Sequence, residues 1–101
     1  MYNQMKGKGT YIMAKEREEI KFEIVEHIAD LQEGSRGWMT ELNIVAWGTN
    51  APKFDLRSWN EDHTKCGKGI TLGMDAMYAL AEFFDSDWES IIDKAKEYGV
   101  K

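Results

Sequence analysis

The spacing of apolar and polar residues divides the chain into strand-like segments followed by helix-like ones. Segments 38–47, 53–59 and 69–72 alternate with a period of two, which is typical of half-buried strands. After Met74 the apolar residues recur with helical spacing, and they are Met77, Leu80, Ala81 and Phe84. Strands followed by helices indicate an α+β domain.

Residues 20–31 carry two patterns at once. Ile20, Ile24, Ile28 and Leu31 recur at helical spacing, whereas the stretch KFEIVEHI is rich in β-branched and aromatic residues. Periodicity alone favours a helix here by a modest margin.

The two ends of the chain are less regular. The first dozen residues have no periodicity and contain two glycines, which predicts a flexible tail. Met13 begins the stretch MAKEREE, which resembles an ordinary N-terminus and makes Met13 an alternative start. Near the other end DSDWE interrupts the helical stripe. Ser86 and Glu89 form a capping-box pattern, so we expect a second, short helix to begin near Asp87 and end at Gly99.

Composition narrows the class of protein. A chain of 101 residues with 43% hydrophobic residues is long enough for one core. A single cysteine fits a reducing compartment, and the N-terminus lacks the apolar region of a secretory signal, so we expect a cytoplasmic protein. The net charge is −5, but residues 34–73 carry five basic and four acidic side chains and residues 74–101 carry three and seven. The middle of the chain is therefore its least acidic part, which leaves nucleic-acid binding open.

The stretch KFDLRSWNEDHTKCGKGITL contains two kinds of candidate chemistry. His63 and Cys66 are possible metal ligands or a nucleophile pair, but a structural zinc site needs four ligands and a catalytic pair needs an orienting group. We therefore expect no metal, cofactor or catalytic site, and we interpret Cys66 as incidental. The GKG sequence (67–69) lacks the spacing of a phosphate-binding loop and indicates a loop that needs the conformational freedom of glycine.

Basic and aromatic residues form the second candidate. Lys53, Arg57 and Trp59 lie on one side of a strand, and Trp47 lies on the preceding one. Cations for phosphates and flat rings for bases are what single-stranded nucleic acid requires. Packing of Trp47 and Trp59 in the core explains the same pattern equally well, so both alternatives stay open on the residues alone.

The stretch PKFDLRSWNEDHTKCGKGITL with the amphipathic helix after it resembles the core of the transcriptional coactivators related to positive cofactor four. It is most similar to their small bacterial YdbC-like branch. The resemblance covers residues 20–84 and implies four antiparallel strands followed by a helix, in an intertwined homodimer that packs through its helices. It also implies that residues 20–31 form a long, bulged first strand. Residues 1–19 are then a flexible tail and residues 85–101 an acidic helical extension.

The resemblance implies a non-enzymatic protein whose curved sheet binds single-stranded DNA with little sequence preference. By position, Arg57 matches a sheet-face arginine and Lys53 a neighbouring basic residue of the family. Lys65 and Lys68 match the basic loop before the last strand, and Trp59 and Trp47 fall at or near aromatic positions. We therefore expect a transcription, replication or repair factor associated with the nucleoid. A protein-interaction adaptor that uses its acidic helices, an RNA-binding protein, and a small enzyme at His63 and Cys66 are the alternatives.

Overall fold

The computed structural model describes residues 8–13 and 18–101, with side chains from Lys21 onward. One antiparallel sheet has its strands in chain order and is followed by a helix. The elements are β1 (Lys8–Met13), β2 (Glu18–Glu33), β3 (Met39–Trp47), β4 (Lys53–Trp59), β5 (Cys66–Leu72) and α1 (Met74–Glu97). The predicted α+β fold, with four antiparallel strands before a C-terminal helix, is confirmed.

The sheet has one strand more than predicted, β1, which precedes the other four. Its presence corrects the prediction of a flexible tail over residues 1–19. Lys8–Met13 pairs antiparallel with the beginning of β2, from Lys8 opposite Glu23 to Met13 opposite Glu18. An edge strand gains its stability from backbone hydrogen bonds to its neighbour, which a local apolar pattern does not reveal. The rest of the predicted tail, residues 1–7 and 14–17, lies outside the described residues.

The bulges of β2 explain why its sequence lacks the two-residue alternation of a regular strand. Its register against β3 shifts between Ile24 and Glu26, between His27 and Ala29, and between Asp30 and Gln32. Each bulge adds one residue to β2, so side chains three apart on β2 face side chains two apart on β3. The bulged long strand that the resemblance implies is present, and the helical interpretation of residues 20–31 is wrong.

Helix α1 continues through the predicted interruption. It runs to Glu97 as one element, and only Asp87, with φ −123° and ψ 19°, departs from helical geometry. The Ser86 hydroxyl donates a hydrogen bond back to the Glu82 carbonyl at 3.0 Å, so it does not cap a new helix. The expected second helix is therefore the continuation of α1 beyond a kink.

The two faces of the sheet differ in chemistry and in burial. The network face consists of Phe22, Ile24, His27, Asp30, Met39, Glu41, Asn43, Val45, Trp47, Lys53, Asp55, Arg57 and Trp59, with Lys53 exposed at its margin. The apolar face consists of Leu42, Ile44, Phe54, Leu56, Ile70 and Leu72. The core lies on the network face, where Trp59, Ile24, Val45, Asn43 and Asp55 are fully buried.

Candidate nucleic-acid interface

Arg57 lies in the middle of β4 and is held inside the network face. Its Nε donates to Asp55 Oδ1 at 2.7 Å, and its guanidinium carbon lies 4.6 Å from the centroid of the Trp47 ring. Burial opposes the charge, but the hydrogen bond and the charge of Asp55 raise the pKa of Arg57. The side chains of Arg57 and Asp55 are 13% and 0% exposed. The predicted binding residue Arg57 is therefore largely covered, and its charge is paired internally.

The two candidate base-stacking tryptophans pack against each other. The rings of Trp47 and Trp59 are nearly parallel, with centroids 6.2 Å apart, and Phe22 lies 5.1 Å from Trp59. Trp59 has no exposed surface, so in this conformation it cannot present a ring face to a base. Trp47 is half-buried and its Nε1 donates to Asp55 Oδ2 at 3.1 Å. Of the two open alternatives, core packing is correct for Trp59.

The three predicted lysines are all exposed. Lys53 begins β4, Lys65 lies in the β4–β5 loop, and Lys68 lies within β5, at an edge of the described sheet. None of the ion pairs within residues 21–101 involves these lysines. The nearby acidic residue of β4, Asp55, is turned inward and paired with Arg57. The lysines thus carry the positive charge that this part of the sheet presents to solvent.

The glycines of the GKG sequence provide space rather than unusual backbone angles. A Cβ at Gly69 would collide with the Leu56 carbonyl oxygen and with the Arg57 side chain on β4. A Cβ at Gly67 would lie 2.7 Å from the Ser58 hydroxyl. Both glycines therefore let β5 approach β4 closely beside the Arg57 site. The stretch belongs to β5, so its interpretation as a loop that needs the conformational freedom of glycine is wrong.

Sequence reasoning missed a polar network on the same face. His27 Nδ1 lies 2.6 Å from Asn43 Oδ1, and His27 Nε2 lies 3.1 Å from Asp30 Oδ1. Asn43 Nδ2 donates to Glu41 Oε1 at 3.0 Å, and His63 Nε2 is 2.8 Å from Glu41 Oε2. Residues from β2, β3 and the β4–β5 loop are thereby connected, although they are up to 36 positions apart in sequence. The bulges of β2 bring them together, and no local motif marks them.

The Glu41–His63 pair is the charged end of this network. Burial opposes ionisation of Glu41, but hydrogen bonds from His63 and Asn43 hold its pKa below the ordinary 4.5. The hydrogen bond with Glu41 raises the pKa of His63 above 6.5, although burial acts in the opposite direction. His63 has a φ of 60°, which is uncommon for a residue other than glycine. The ion pair holds the β4–β5 loop against β3.

Two arrangements bear on metal or thiol chemistry. Ligand atoms of His27, Asp30 and Glu41 lie within 4.8 Å of one another, and imidazole with carboxylates is a donor set that suits zinc. In this structure these atoms make the hydrogen bonds of the network. Burial raises the pKa of Cys66, so its sulfur is a thiol rather than the reactive thiolate. The absence of a catalytic or metal role for His63 and Cys66 stays a prediction.

An open cleft lies at the ends of β3 and β4. The turn at Ser35–Gly37 forms one wall and the β4–β5 loop forms the other. The side chains that line it are Arg36, Trp38, Asn60, Glu61, Asp62 and Lys65. Of these, only Lys65 was predicted from the sequence to belong to a site. Arg36 and residues 60–62 lie in turn or loop segments, and Trp38 begins the predicted strand segment 38–47.

The fold and the site define a small α+β domain. It has a largely buried polar network on one face of the sheet and exposed lysines on β4, on β5 and in the loop between them. No family model matches the chain. It is similar to an uncharacterized protein of Treponema pallidum (strain Nichols), with 30% identity over 69 residues that cover 68% of this chain and 81% of that protein. The chain belongs to the same family as this Treponema pallidum protein. Among the residues described, no helix combines the length and apolarity needed to cross a membrane.

Proposed function

We propose that this protein binds single-stranded nucleic acid, DNA in the first place, with little sequence preference and as a homodimer. The observation that carries the proposal is the set of exposed lysines Lys53, Lys65 and Lys68, which have no ion-pair partner within residues 21–101. The acidic side chains of β3 and β4 are turned inward, since Asp55 pairs with Arg57 and Glu41 bonds to His63. Phosphates approaching β4 and β5 therefore meet cations although the whole chain is acidic.

The distribution of charge favours one side of the molecule for binding. Residues 74–101, which include α1, carry seven acidic and three basic side chains and would repel a phosphate backbone. Nucleic acid would accordingly contact the exposed lysines of β4 and β5 rather than the acidic side chains of α1. Arg57 and Trp59 support this surface from within: the Arg57–Asp55 pair and the tryptophan cluster fix the strand on which Lys53 lies.

The proposed homodimer is supported by the apolar side chains that a single chain leaves uncovered. α1 has no buried residue, and Tyr78, Phe83, Phe84 and Trp88 are each about half exposed or more. On the apolar face Ile70 is 56% exposed. Two copies related by a two-fold axis would cover both surfaces with each other, because each copy offers the same helix and the same sheet face.

An adaptor that binds another protein through α1 is the second candidate. Its support is the combination of exposed aromatic side chains with acidic ones on the same helix. A homodimer would occupy those aromatic side chains, so the oligomeric state separates the two candidates. In either case we place the protein in the cytoplasm, at the nucleoid, with a role in transcription, replication or repair and no catalytic activity of its own.

The test is the salt dependence of oligonucleotide binding. Fluorescence anisotropy should detect a labelled thymidine oligonucleotide binding more tightly than a duplex of equal length. Changing Lys53 and Lys68 together to Ala should weaken binding to every single-stranded sequence by a similar factor. It should also flatten the slope of log affinity against log salt by roughly 0.7 for each phosphate that the variant no longer neutralises. Arg57 is left intact, because removing it would unpair Asp55.

The matched control is the double change of Lys94 and Lys96 to Ala, which removes the same charge from exposed positions near the end of α1. The control should keep the parent affinity and slope. An equal loss in both double variants would mean that total charge governs binding, and an unaltered slope in the first would place nucleic acid elsewhere.

A further inference from the structure

Trp38 differs from the two tryptophans of the network face. Trp47 and Trp59 stack on each other, and Arg57 lies over Trp47. Trp38 is half-buried, lines the open cleft, and makes none of the ring or cation contacts found within residues 21–101. The cleft has a volume of about 370 Å³, which is in the size range of small-ligand sites. A flat indole ring at the wall of such a cleft is a surface on which a planar ligand can stack.

Both walls of the cleft are held in place by their own hydrogen bonds. In the β4–β5 loop, Asn60 N–H donates to the Lys65 carbonyl at 3.0 Å and Lys65 N–H donates to Asn60 Oδ1 at 2.8 Å. The Thr64 hydroxyl donates to Asp62 Oδ1 at 2.6 Å. In the opposite wall, Gly34 N–H donates to the Trp38 carbonyl at 2.8 Å. The cleft is thus organised before any ligand binds, which lowers the entropic cost of binding.

The charges around the cleft select the kind of ligand. Arg36 and Lys65 are balanced by Glu61 and Asp62, so a free phosphate would meet as much repulsion as attraction. Hydrogen bonds from Thr64 lower the pKa of Asp62, which keeps this carboxylate an acceptor. A nucleobase has a flat face for the indole and an edge with both donors and acceptors for the polar groups. The backbone phosphates next to that base can contact Arg36 or Lys65 at the rim.

We propose that this cleft binds one nucleobase of a single strand, stacked on Trp38. The proposal rests on the proposed function and assigns the base contact to Trp38 instead of Trp59. A nucleic-acid strand that follows the exposed lysines of β4 and β5 reaches the cleft at Lys65. This residue belongs both to the set of exposed lysines and to the lining of the cleft. Lys53 and Lys68 would then hold phosphates while Trp38 holds a base.

The experiment compares a thymidine oligonucleotide with an abasic one of the same length, using anisotropy and the Trp38→Ala and Trp38→Phe variants. Trp38→Ala should bind the thymidine oligonucleotide about 5- to 150-fold more weakly, which is the range for loss of one stacked base. Trp38→Phe should retain most of the affinity. The abasic oligonucleotide should bind the parent and Trp38→Ala equally. Tyr98→Ala, which removes an 81% exposed aromatic ring from the end of α1, is the matched control and should change nothing.

Each failure has its own signature. If Trp38→Ala binds the thymidine oligonucleotide as tightly as the parent, the base site is wrong while the proposed function stands. An equal loss on the abasic oligonucleotide would assign the effect to phosphates and would also overturn it. No binding by the parent chain would remove the proposed function itself and the base site with it. A measurement on the unmutated protein is the NMR resonance of the Trp38 indole N–H. It must shift when the thymidine oligonucleotide is added, and an unshifted resonance overturns the base site.

Discussion

The two faces of the sheet reverse the usual relation between polarity and burial. On the network face, Asn43 and Asp55 have no exposed surface and Glu41 is 4% exposed. On the apolar face, the ladder that pairs Leu42 with Leu56 and Leu56 with Ile70 stays partly exposed. Buried polar side chains are tolerable only when their hydrogen bonds are made, and those three are bonded to His27, Arg57, Trp47 and His63.

The difference indicates which face is complete in one chain. The network face pairs its buried carboxylates and Asn43 and packs its own aromatic rings, although the buried Trp59 Nε1 and His63 Nδ1 have no hydrogen-bond partner among the described residues. The apolar face and α1 leave large apolar side chains in contact with water, which is unfavourable by about 25 cal/mol for each Å². The network face therefore stabilises the single chain, whereas the apolar face and α1 are suited to association.

The largest effect should come from unpairing the network face. Asp55→Ala leaves the Arg57 charge without its partner and removes the acceptor of Trp47 Nε1. The free energy of unfolding should fall by about 3–5 kcal/mol, the range for breaking a buried ion pair. Denaturation by urea at one fixed protein concentration measures it.

The control for this prediction is the double variant with Asp55→Val and Arg57→Leu. Replacing both partners by apolar side chains removes the unpaired charge, so it should be less destabilising than Asp55→Ala alone. If Asp55→Ala unfolds like the parent, the network face does not stabilise the single chain.

The next effect concerns association through α1. Phe84 and Trp88 contact each other edge to face, with ring centroids 5.8 Å apart, and both rings are about half exposed. Changing both to Ala should weaken the proposed dimer by at least about 2 kcal/mol, since buried aromatic anchors carry much of the energy of an interface. Sedimentation at several concentrations measures the dissociation constant.

The fold of the single chain should survive this change, because α1 contributes no buried residue to the core. A circular dichroism spectrum like that of the parent is expected together with a mass near that of one chain. A parent protein that is monomeric at high micromolar concentration would contradict the assignment of the apolar face to association.

The strands with clean alternation could be predicted from the sequence. Prediction failed for the segments whose structure depends on pairing with residues far away in the chain. β3 and β4 were predictable because each alternates with a period of two and the pairing between them has no register shift. β2 was ambiguous because its bulges convert a two-residue period into a three-residue one. β1 lacks an apolar pattern of its own and was missed. In the candidate site, a binding role for Lys53, Lys65 and Lys68 requires exposure, which the structure shows, whereas burial of Arg57 was not predicted.

The burial of Arg57 and Trp59 could not be read from local pattern for a physical reason. Alternation assigns residues to a side of the strand but does not say which side is covered. Apolar Phe54 and Leu56 suggested that the core lay on their side. The aspartate, asparagine and histidine partners that make the other side a core come from different strands and a loop. Only the assembled register places them together.

A smaller effect is the pH dependence of stability that arises from Glu41 and His63. Because the pKa of His63 is raised in the fold, its contribution is complete below its ordinary pKa of 6.5 and is lost as pH rises through the raised value. Because the pKa of Glu41 is lowered, its contribution is present above 4.5 and is lost as pH falls through the lowered value. The pair should therefore stabilise the fold most between pH 4.5 and 6.5.

The measurement is the free energy of unfolding across this range for the parent and for His63→Asn. Asparagine removes the charge and tolerates the positive φ at this position, so backbone strain does not confuse the result. The decline above pH 6.5 should be absent in the variant. A decline of the same size in His63→Asn would assign the pH dependence to other groups.

The smallest effect is expected at the junction between the two regions, where Gly73 precedes α1. Gly73 is the N-cap residue, and its backbone is extended and provides no side-chain hydrogen bond to the first turn. Nothing lies within 4 Å of a Cβ at this position, so a serine would fit without displacing a neighbour. Its hydroxyl could accept a hydrogen bond from an unpaired N–H of the first turn, which should stabilise the helix by a few tenths of a kcal/mol.

Gly73→Ala, which adds a side chain without an acceptor, is the matched control. Hydrogen exchange of the first-turn amides of α1 should slow in Gly73→Ser alone. If both variants slow it equally, restriction of the backbone rather than capping limits the start of the helix.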